Sequence, residues 1–188
     1  MELTPERKFY LRHFKAISNA ISEYEDLPML FNHFVEGLCR AFKVKGCSIM
    51  LYDEREKQLF HVSSHGISEA YLEKGPVFYD EKQCAFVKGE PVFVDDLKTD
   101  PRVQYPEAGL EEGFTSLASF PIKCRDAILG IIRIYHSERI QLHAEDIESI
   151  LVICRQLGMV VEYNGLKNFL DMVKSAIGNL PLRLLEGL

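Results

Sequence analysis

The stretch of sequence that decides the fold runs from residue 115 to residue 136 and reads TSLASFPIKCRDAILGIIRIYH. Apolar residues recur at alternate positions on both sides of the charged turn at residues 124–126. This period of two predicts an antiparallel hairpin with strands at residues 115–122 and 128–136. The same period at residues 47–52 and 59–64 predicts another hairpin earlier in the chain.

Helical patterns flank the two hairpins. Apolar residues at 10–24 follow steps of four, three, four and three, and Thr4 before a proline and a glutamate predicts that this helix begins there. A second helix is predicted over residues 26–45 and a long amphipathic helix from about 143 to 163. A further amphipathic stretch follows Asn164-Gly165, where we expect an interruption.

Hairpins bracketed by helices predict an α+β fold. We expect a central antiparallel sheet with the N- and C-terminal helices on one face and loops covering a ligand pocket on the other face. The predicted division is an N-terminal dimerisation helix at 1–25, a central domain at 26–163 and a C-terminal helical extension at 164–188.

Alternation along the strands separates a core face from a pocket face. The more uniformly apolar set in the hairpin at 115–136 should pack against the helices, whereas the other set contains Arg133, a charge in the middle of a strand. We therefore expect the pocket floor on the Arg133 side. Its candidate ligand-binding residues are Leu117, Ser119, Arg133 and Tyr135 from this hairpin, with Ser48 and Met50 from the earlier one.

Arg133 needs a partner, because burying an unpaired charge costs several kcal/mol, roughly. The partner is either an anionic group of a ligand or a carboxylate of the chain, such as Asp95, Asp96 or a loop glutamate. A ligand partner predicts a pocket that selects an anionic or carbonyl-bearing small molecule.

Phe78 and Cys84 are candidate ligand-binding residues at the rim of this pocket. Cys84 lies within residues 80–87, a short predicted helix whose N-terminus would favour a reactive thiolate. The five cysteines form no Cys-x-x-Cys pair and the six histidines show no metal-ligand spacing, so neither a metal site nor a disulfide framework is predicted. No catalytic residue is assigned.

The charge pattern argues against several classes of function. The chain has 22 Lys and Arg against 28 Asp and Glu and no concentrated basic segment, so nucleic acid is not an expected ligand. No apolar run approaches the ~18 to 20 residues that a membrane span requires. The N-terminus lacks a basic segment followed by an apolar one, so we expect no signal peptide and a cytoplasmic location.

Three segments resemble the GAF domain family. They are residues 89–96 (GEPVFVDD) continuing to Asp100-Pro101-Arg102, residues 116–122 (SLASFPI) with 128–132 (ILGII), and Glu145-Asp146-Ile147. The resemblance extends over about residues 26–163 and implies a module that senses a small molecule in bacterial-type signalling. This family hosts many ligands on one scaffold, so the ligand and any cofactor stay unidentified.

The resemblance predicts a non-catalytic sensory domain that binds a small molecule, and the apolar seam at residues 10–24 predicts that it signals through a helical homodimer. The expected dimer interface consists of Tyr10, Phe14, Ile17, Ile21, Tyr24, Ile153 and Val160. Two alternatives stay open. One is a small redox enzyme similar to the family's free methionine sulfoxide reductases, which would use Cys84 but has no second cysteine between Ala85 and Lys123. The other is a dimerisation module whose pocket is filled by Met50, Leu117 and Tyr135.

Overall fold

The computed structural model of the protein describes residues 5–24, 26–78 and 84–178. The helices are α1 (Leu11–Glu23), α2 (Leu27–Phe42), α3 (Glu69–Leu72), α4 (Ala85–Lys88), α5 (Pro106–Glu111) and α6 (Ala144–Gly178). The strands are β1 (Gly46–Asp53), β2 (Gln58–His65), β3 (Val77–Phe78), β4 (Val92–Val94), β5 (Ser116–Cys124) and β6 (Ala127–His136). They form one antiparallel sheet in the order β3-β2-β1-β6-β5-β4, which confirms the predicted α+β class.

One face of the sheet carries the main hydrophobic core. Helices α2 and α6 pack on this face, against alternate residues of the three central strands β1, β6 and β5. The strand residues buried there are Cys47, Ile49, Ala118, Phe120, Ile122, Ile132 and Ile134. The alternation in the sequence therefore identified the helix-covered face correctly. None of the helices in the described ranges combines the length and the apolarity that a membrane crossing needs.

The opposite face carries two smaller clusters instead of one continuous core. The first contains Met50, Leu59, Val77, Ala85, Val92 and Ile131, and the second contains Tyr71, Val94, Leu97, Phe114, Leu117 and Tyr135. Short elements and loops between β2 and β5 cover this face, including α5 within the long polar loop at residues 95–113. This is the loop-covered face that the sequence predicts.

The N-terminal segment differs from the prediction. Thr4 lies outside the described residues, and α1 begins at Leu11 because the chain before it is anchored in a non-helical conformation. The backbone N–H groups of Lys8 and Phe9 donate to the buried carboxylate of Asp146, at 2.8 and 2.9 Å. The Phe9 ring is buried and stacks on a ring of α2 with centroids 5.7 Å apart. These contacts fix the segment before α1 on the main domain.

Helix α1 then folds back on its own chain. Phe14, Ile17, Ile21 and Tyr24 pack, partly buried, against the main core, and Asn164 Nδ2 of α6 donates to the Tyr24 hydroxyl at 2.6 Å. Only the first member of the predicted seam, Tyr10, is largely exposed. The apolar side chains of the α1 heptad seam are therefore already packed against residues of the same chain.

Helix α6 differs from two further predictions. It runs without interruption for 35 residues through Asn164-Gly165, because one glycine costs a helix only about 1 kcal/mol. Ile153 and Val160 are buried in the main core, so they do not form the free apolar face expected of them. The helix approaches β5 closely at Gly158, where a Cβ atom would lie 2.0 Å from the carbonyl oxygen of Lys123.

The anchor between the N-terminal segment and α6 gives the first prediction. Replacing Asp146 by Ala leaves two N–H groups without their charged acceptor, and we expect the free energy of unfolding to fall by about 2 to 4 kcal/mol. Urea denaturation measures this loss. Glu148→Ala, which removes an exposed carboxylate from the same helix, is the control. Equal losses in the two variants would contradict the anchoring role.

Candidate functional site

A polar row crosses the centre of the loop-covered face. Arg133 on β6 pairs in register with Ser48 on β1 and with Ser119 on β5, and Ser119 pairs in turn with Val92 on β4. Directly opposed side chains in an antiparallel sheet lie about 4.5 to 5.5 Å apart at Cβ, so these neighbours surround the base of the Arg133 side chain. The small serines leave space above the sheet where larger residues would fill it.

A cavity of about 50 Å³ opens above this row, between the two small apolar clusters. The polar groups of its wall come from the sheet, from α3 and the loop after it, from Cys84 before α4, and from the loop after β4. Among the described residues it is lined by Tyr71, Lys74, Phe78, Cys84, Ala85, Val92, Val94, Arg102, Val103, Gln104, Tyr105, Leu117, Ser119 and Arg133. No carboxylate occurs in this set.

The three described aspartates that follow β4, Asp95, Asp96 and Asp100, have other partners. Asp95 forms an ion pair with Arg139, and Asp96 accepts hydrogen bonds from the backbone and side chain of the residues that follow it. Asp100 pairs with Arg102, whose guanidinium also donates to the carbonyl of Phe93 at 2.8 Å. Within the described ranges no carboxylate pairs with Arg133, and its buried Nε has no hydrogen-bond partner. Arg133 therefore has no aspartate partner among the described residues.

Two other basic side chains, Lys74 and His61, lie close enough to Arg133 for its charge to lower their pKa values. Lys74 lines the cavity, and its Nζ donates to the backbone carbonyl of Tyr71 at 3.0 Å. The same Nζ lies 3.8 Å from the centre of the Tyr71 ring. Burial and the charge of Arg133 lower the pKa of Lys74 to about 8. Burial, with the charges of Lys74 and Arg133, lowers the pKa of His61 on β2 to about 4. Both ring nitrogens of His61 are buried and lack partners among the described residues.

The structure brings together most of the predicted ligand-binding residues. Phe78, Cys84, Leu117, Ser119 and Arg133 line the cavity.

Ser48, Met50 and Tyr135 lie on the predicted face but do not line the cavity. Ser48 is fully buried beside Arg133, and Met50 belongs to the first small cluster. Tyr135 stacks on Phe114 with centroids 4.6 Å apart and meets the Tyr71 ring edge-on at 5.7 Å. Aromatic packing therefore holds Tyr135 beneath the cavity, and these three residues support its floor.

Lys74 and the residues at 102–105 were missed by sequence reasoning. Lys74 lies between α3 and β3, where no periodicity assigns a face. A weak signal for residues 102–105 is the length of the polar loop at 95–113, since long loops on a rigid scaffold often carry binding groups. Tyr105 closes one side of the cavity, where its hydroxyl donates to the carbonyl of Pro76 at 2.8 Å.

Cys84 is the one described cysteine that lines the cavity. Cys39, Cys47 and Cys154 are buried in the main core on the other face of the sheet, where burial raises the pKa of Cys154 and of Cys47. Cys124 ends β5, outside the cavity lining. Within the described ranges no second thiol is therefore present in the cavity wall to complete a dithiol with Cys84.

A model of the GAF domain family matches residues 26–161, which is more than two thirds of the chain. The chain belongs to the GAF domain family. The match covers the sheet, the cavity and the first half of α6.

Solved structures with the same fold come from several kinds of protein. The GAF domain of a phosphoenolpyruvate-protein phosphotransferase from Coxiella burnetii superposes with a TM-score of 0.74 at 18% identity, covering 84% of this chain and 95% of that one. The corresponding Acinetobacter domain gives 0.69 at 18% identity, covering 90% and 97%. Free methionine-R-sulfoxide reductase from Neisseria meningitidis gives 0.66 at 15% identity, covering 84% and 95%. A search of the curated proteins found no match.

The buried histidine gives the second prediction. The unfolded chain protonates His61 near pH 6.5, whereas the folded chain resists this down to about pH 4, so stability falls as the pH drops through this window. The His61→Gln variant cannot take up this proton, so its Tm should fall less steeply than the wild-type Tm as the pH drops from 6.5 to 4. His33→Gln on the exposed side of α2 is the control and should keep the wild-type slope. Parallel curves for wild type and His61→Gln would contradict the prediction.

Proposed function

We propose that the protein is a non-catalytic sensory module that binds a small anion in the cavity above Arg133. The observation that carries this proposal is the guanidinium at the centre of the sheet, which lines a cavity and has no carboxylate partner among the described residues. An anion would supply the charge-assisted hydrogen bonds that the chain itself does not. The cytoplasmic location predicted from the sequence belongs to the same proposal.

Other features of the cavity support binding rather than catalysis. A dithiol mechanism on Cys84 would need a second thiol, and the described lining contains none. A filled, vestigial pocket is also disfavoured. Met50 and Tyr135 do fill the space beneath the floor, but a cavity remains beside Arg133.

We also propose that the module acts as a homodimer through α6. Met159, Tyr163, Leu166 and Leu170 follow one another at steps of four, three and four and are each between 48% and 62% exposed. Half-buried Val173 continues the stripe by three residues. This is the seam of a two-stranded coiled coil, and a second copy of the chain presents the same stripe. The proposed dimer uses the exposed half of α6 in place of Ile153, Val160 and the predicted seam at residues 10–24, most of which packs within the chain.

The charge of Arg133 gives the third prediction. A thermal-shift screen of small inorganic and organic anions should find at least one that raises Tm, followed by calorimetry of that anion. Arg133→Met should weaken its binding by ~1.5 to 3 kcal/mol, because a charged hydrogen bond is lost. Arg40→Met, an exposed arginine on α2, is the control and should bind normally.

Three outcomes would contradict the proposed binding function. No anion in the screen stabilises the protein, or Arg133→Met binds as well as the control. Alternatively, the wild-type protein reduces methionine sulfoxide in a thiol-dependent reaction that Cys84→Ala abolishes.

The exposed stripe of α6 gives the fourth prediction. Light scattering on a sizing column should report a dimer at micromolar concentration. Leu166→Glu combined with Leu170→Glu should give a monomer, because four like charges would then meet at the seam. Asn168→Glu combined with Ser175→Glu adds the same charge on another side of the helix and should leave the dimer intact. A wild-type monomer would contradict the proposal.

A further inference from the structure

Lys74 and Arg133 place two cationic side chains in the wall of one small cavity. Arg133 rises from the middle of β6, whereas Lys74 reaches the same space from the loop after α3. Lys74 has one hydrogen bond, to the backbone carbonyl of Tyr71, so at least one of its three N–H groups is available to a ligand. Guanidinium and ammonium groups on different elements can therefore approach one bound molecule from two sides.

Among the described residues, the groups that face Lys74 leave its charge uncompensated. Arg133 on β6 is a permanent cation, and His61 on β2 is a neutral ring at neutral pH. Tyr71 on α3 is a neutral phenol, since burial raises its pKa. The remaining titratable groups of the lining are the Cys84 thiol, the Tyr105 phenol and Arg102, which Asp100 already neutralises. The described wall thus holds two unneutralised positive charges that repel each other.

We propose that the cavity binds a compact dianion, with one negative charge held by Arg133 and the other by Lys74. This inference rests on the proposed function, because it names the class of anion that the same site takes. A single negative charge would leave one of the two cations unbalanced in a half-buried site. Two negative charges balance both.

The enclosed space that the described residues leave beside Arg133 suits a compact anionic group. A water molecule needs about 10 to 15 Å³ of cavity volume, so about 50 Å³ accommodates only a few non-hydrogen atoms. Tetrahedral oxyanions and the shortest dicarboxylates are of this size. Inorganic sulfate is a suitable probe, because it carries two charges at every pH used and does not titrate itself.

Binding and protonation are linked through Lys74. Burial and the charge of Arg133 lower the pKa of Lys74 to about 8, and a bound dianion would raise it by supplying an opposite charge. Because only the protonated amine balances the second charge, affinity should fall as the pH rises above the pKa of Lys74. Near that pH, where some of the Lys74 amines have lost their proton, binding should take up protons.

The test is calorimetry of sulfate and methanesulfonate, which share a tetrahedral shape but differ in charge. Sulfate should bind at least tenfold more tightly at pH 7, and at pH 8 its heats in buffers of different ionisation enthalpy should report proton uptake. Lys74→Met should lose the preference for sulfate and the proton uptake. Lys74→Arg should keep the preference without proton uptake. Lys98→Met, an exposed lysine outside the cavity, is the control.

The outcomes separate this inference from the proposed function. If sulfate and methanesulfonate bind equally well, with Arg133→Met weakening both and no proton uptake, the anion site stands and the dianion inference is wrong. If neither anion binds and no anion from the screen binds, both proposals are wrong. If sulfate is preferred but Lys74→Met binds and takes up protons as the wild type does, Lys74 is not the second contact.

Discussion

A positive charge in the middle of a six-stranded sheet is the constraint on which the architecture of this protein depends. Arg133 stands on a central strand with a strand paired on either side, so its side chain cannot reach solvent past a sheet edge. A guanidinium at such a position must be hydrated, paired or bound, because leaving it desolvated and alone is costly. The serines in register on both sides keep the space around it open and polar. The cavity follows from this arrangement.

The same charge explains why the two faces of the sheet are built differently. The helix-covered face is a continuous core of large aliphatic and aromatic side chains from α2, α6 and the three central strands. On the opposite face the polar row through Ser48, Arg133 and Ser119 separates two clusters of six buried residues each. Short elements such as α3, α4 and β3 cover that face and bury few side chains. Elements with few buried contacts open more easily than a core, which suits the entry of a ligand.

The sequence patterns predict features that depend on neighbouring residues and miss features that depend on residues distant in the chain. Period-two alternation is strictly local, so it placed Ile132 and Arg133 on opposite faces without knowledge of the tertiary structure. Helical periodicity identifies an apolar face but not its partner, and for this reason Ile153 and Val160 were assigned to a dimer although they face their own sheet.

The remaining errors come from contacts that are distant in sequence. The buried carboxylate of Asp146 accepts a hydrogen bond from the backbone N–H of Phe9, 137 positions earlier in the sequence. No local sequence pattern predicts such a contact. Lys74 belongs to a loop, where spacing carries no information about which way a side chain points. Its role depends on the sheet residue that the fold brings near it.

The close approach of α6 to the sheet has a mechanical consequence. At Gly158 the helix backbone lies against the carbonyl of Lys123, on the strand that also carries Ser119 of the cavity floor. No side chain cushions this contact, so a displacement of β5 would press directly on the helix backbone. The helix continues to Gly178, about 30 Å further at 1.5 Å per residue. A tilt of about 5° at Gly158 would move the far end by about 2.6 Å, so the length of α6 would enlarge a small displacement at the sheet.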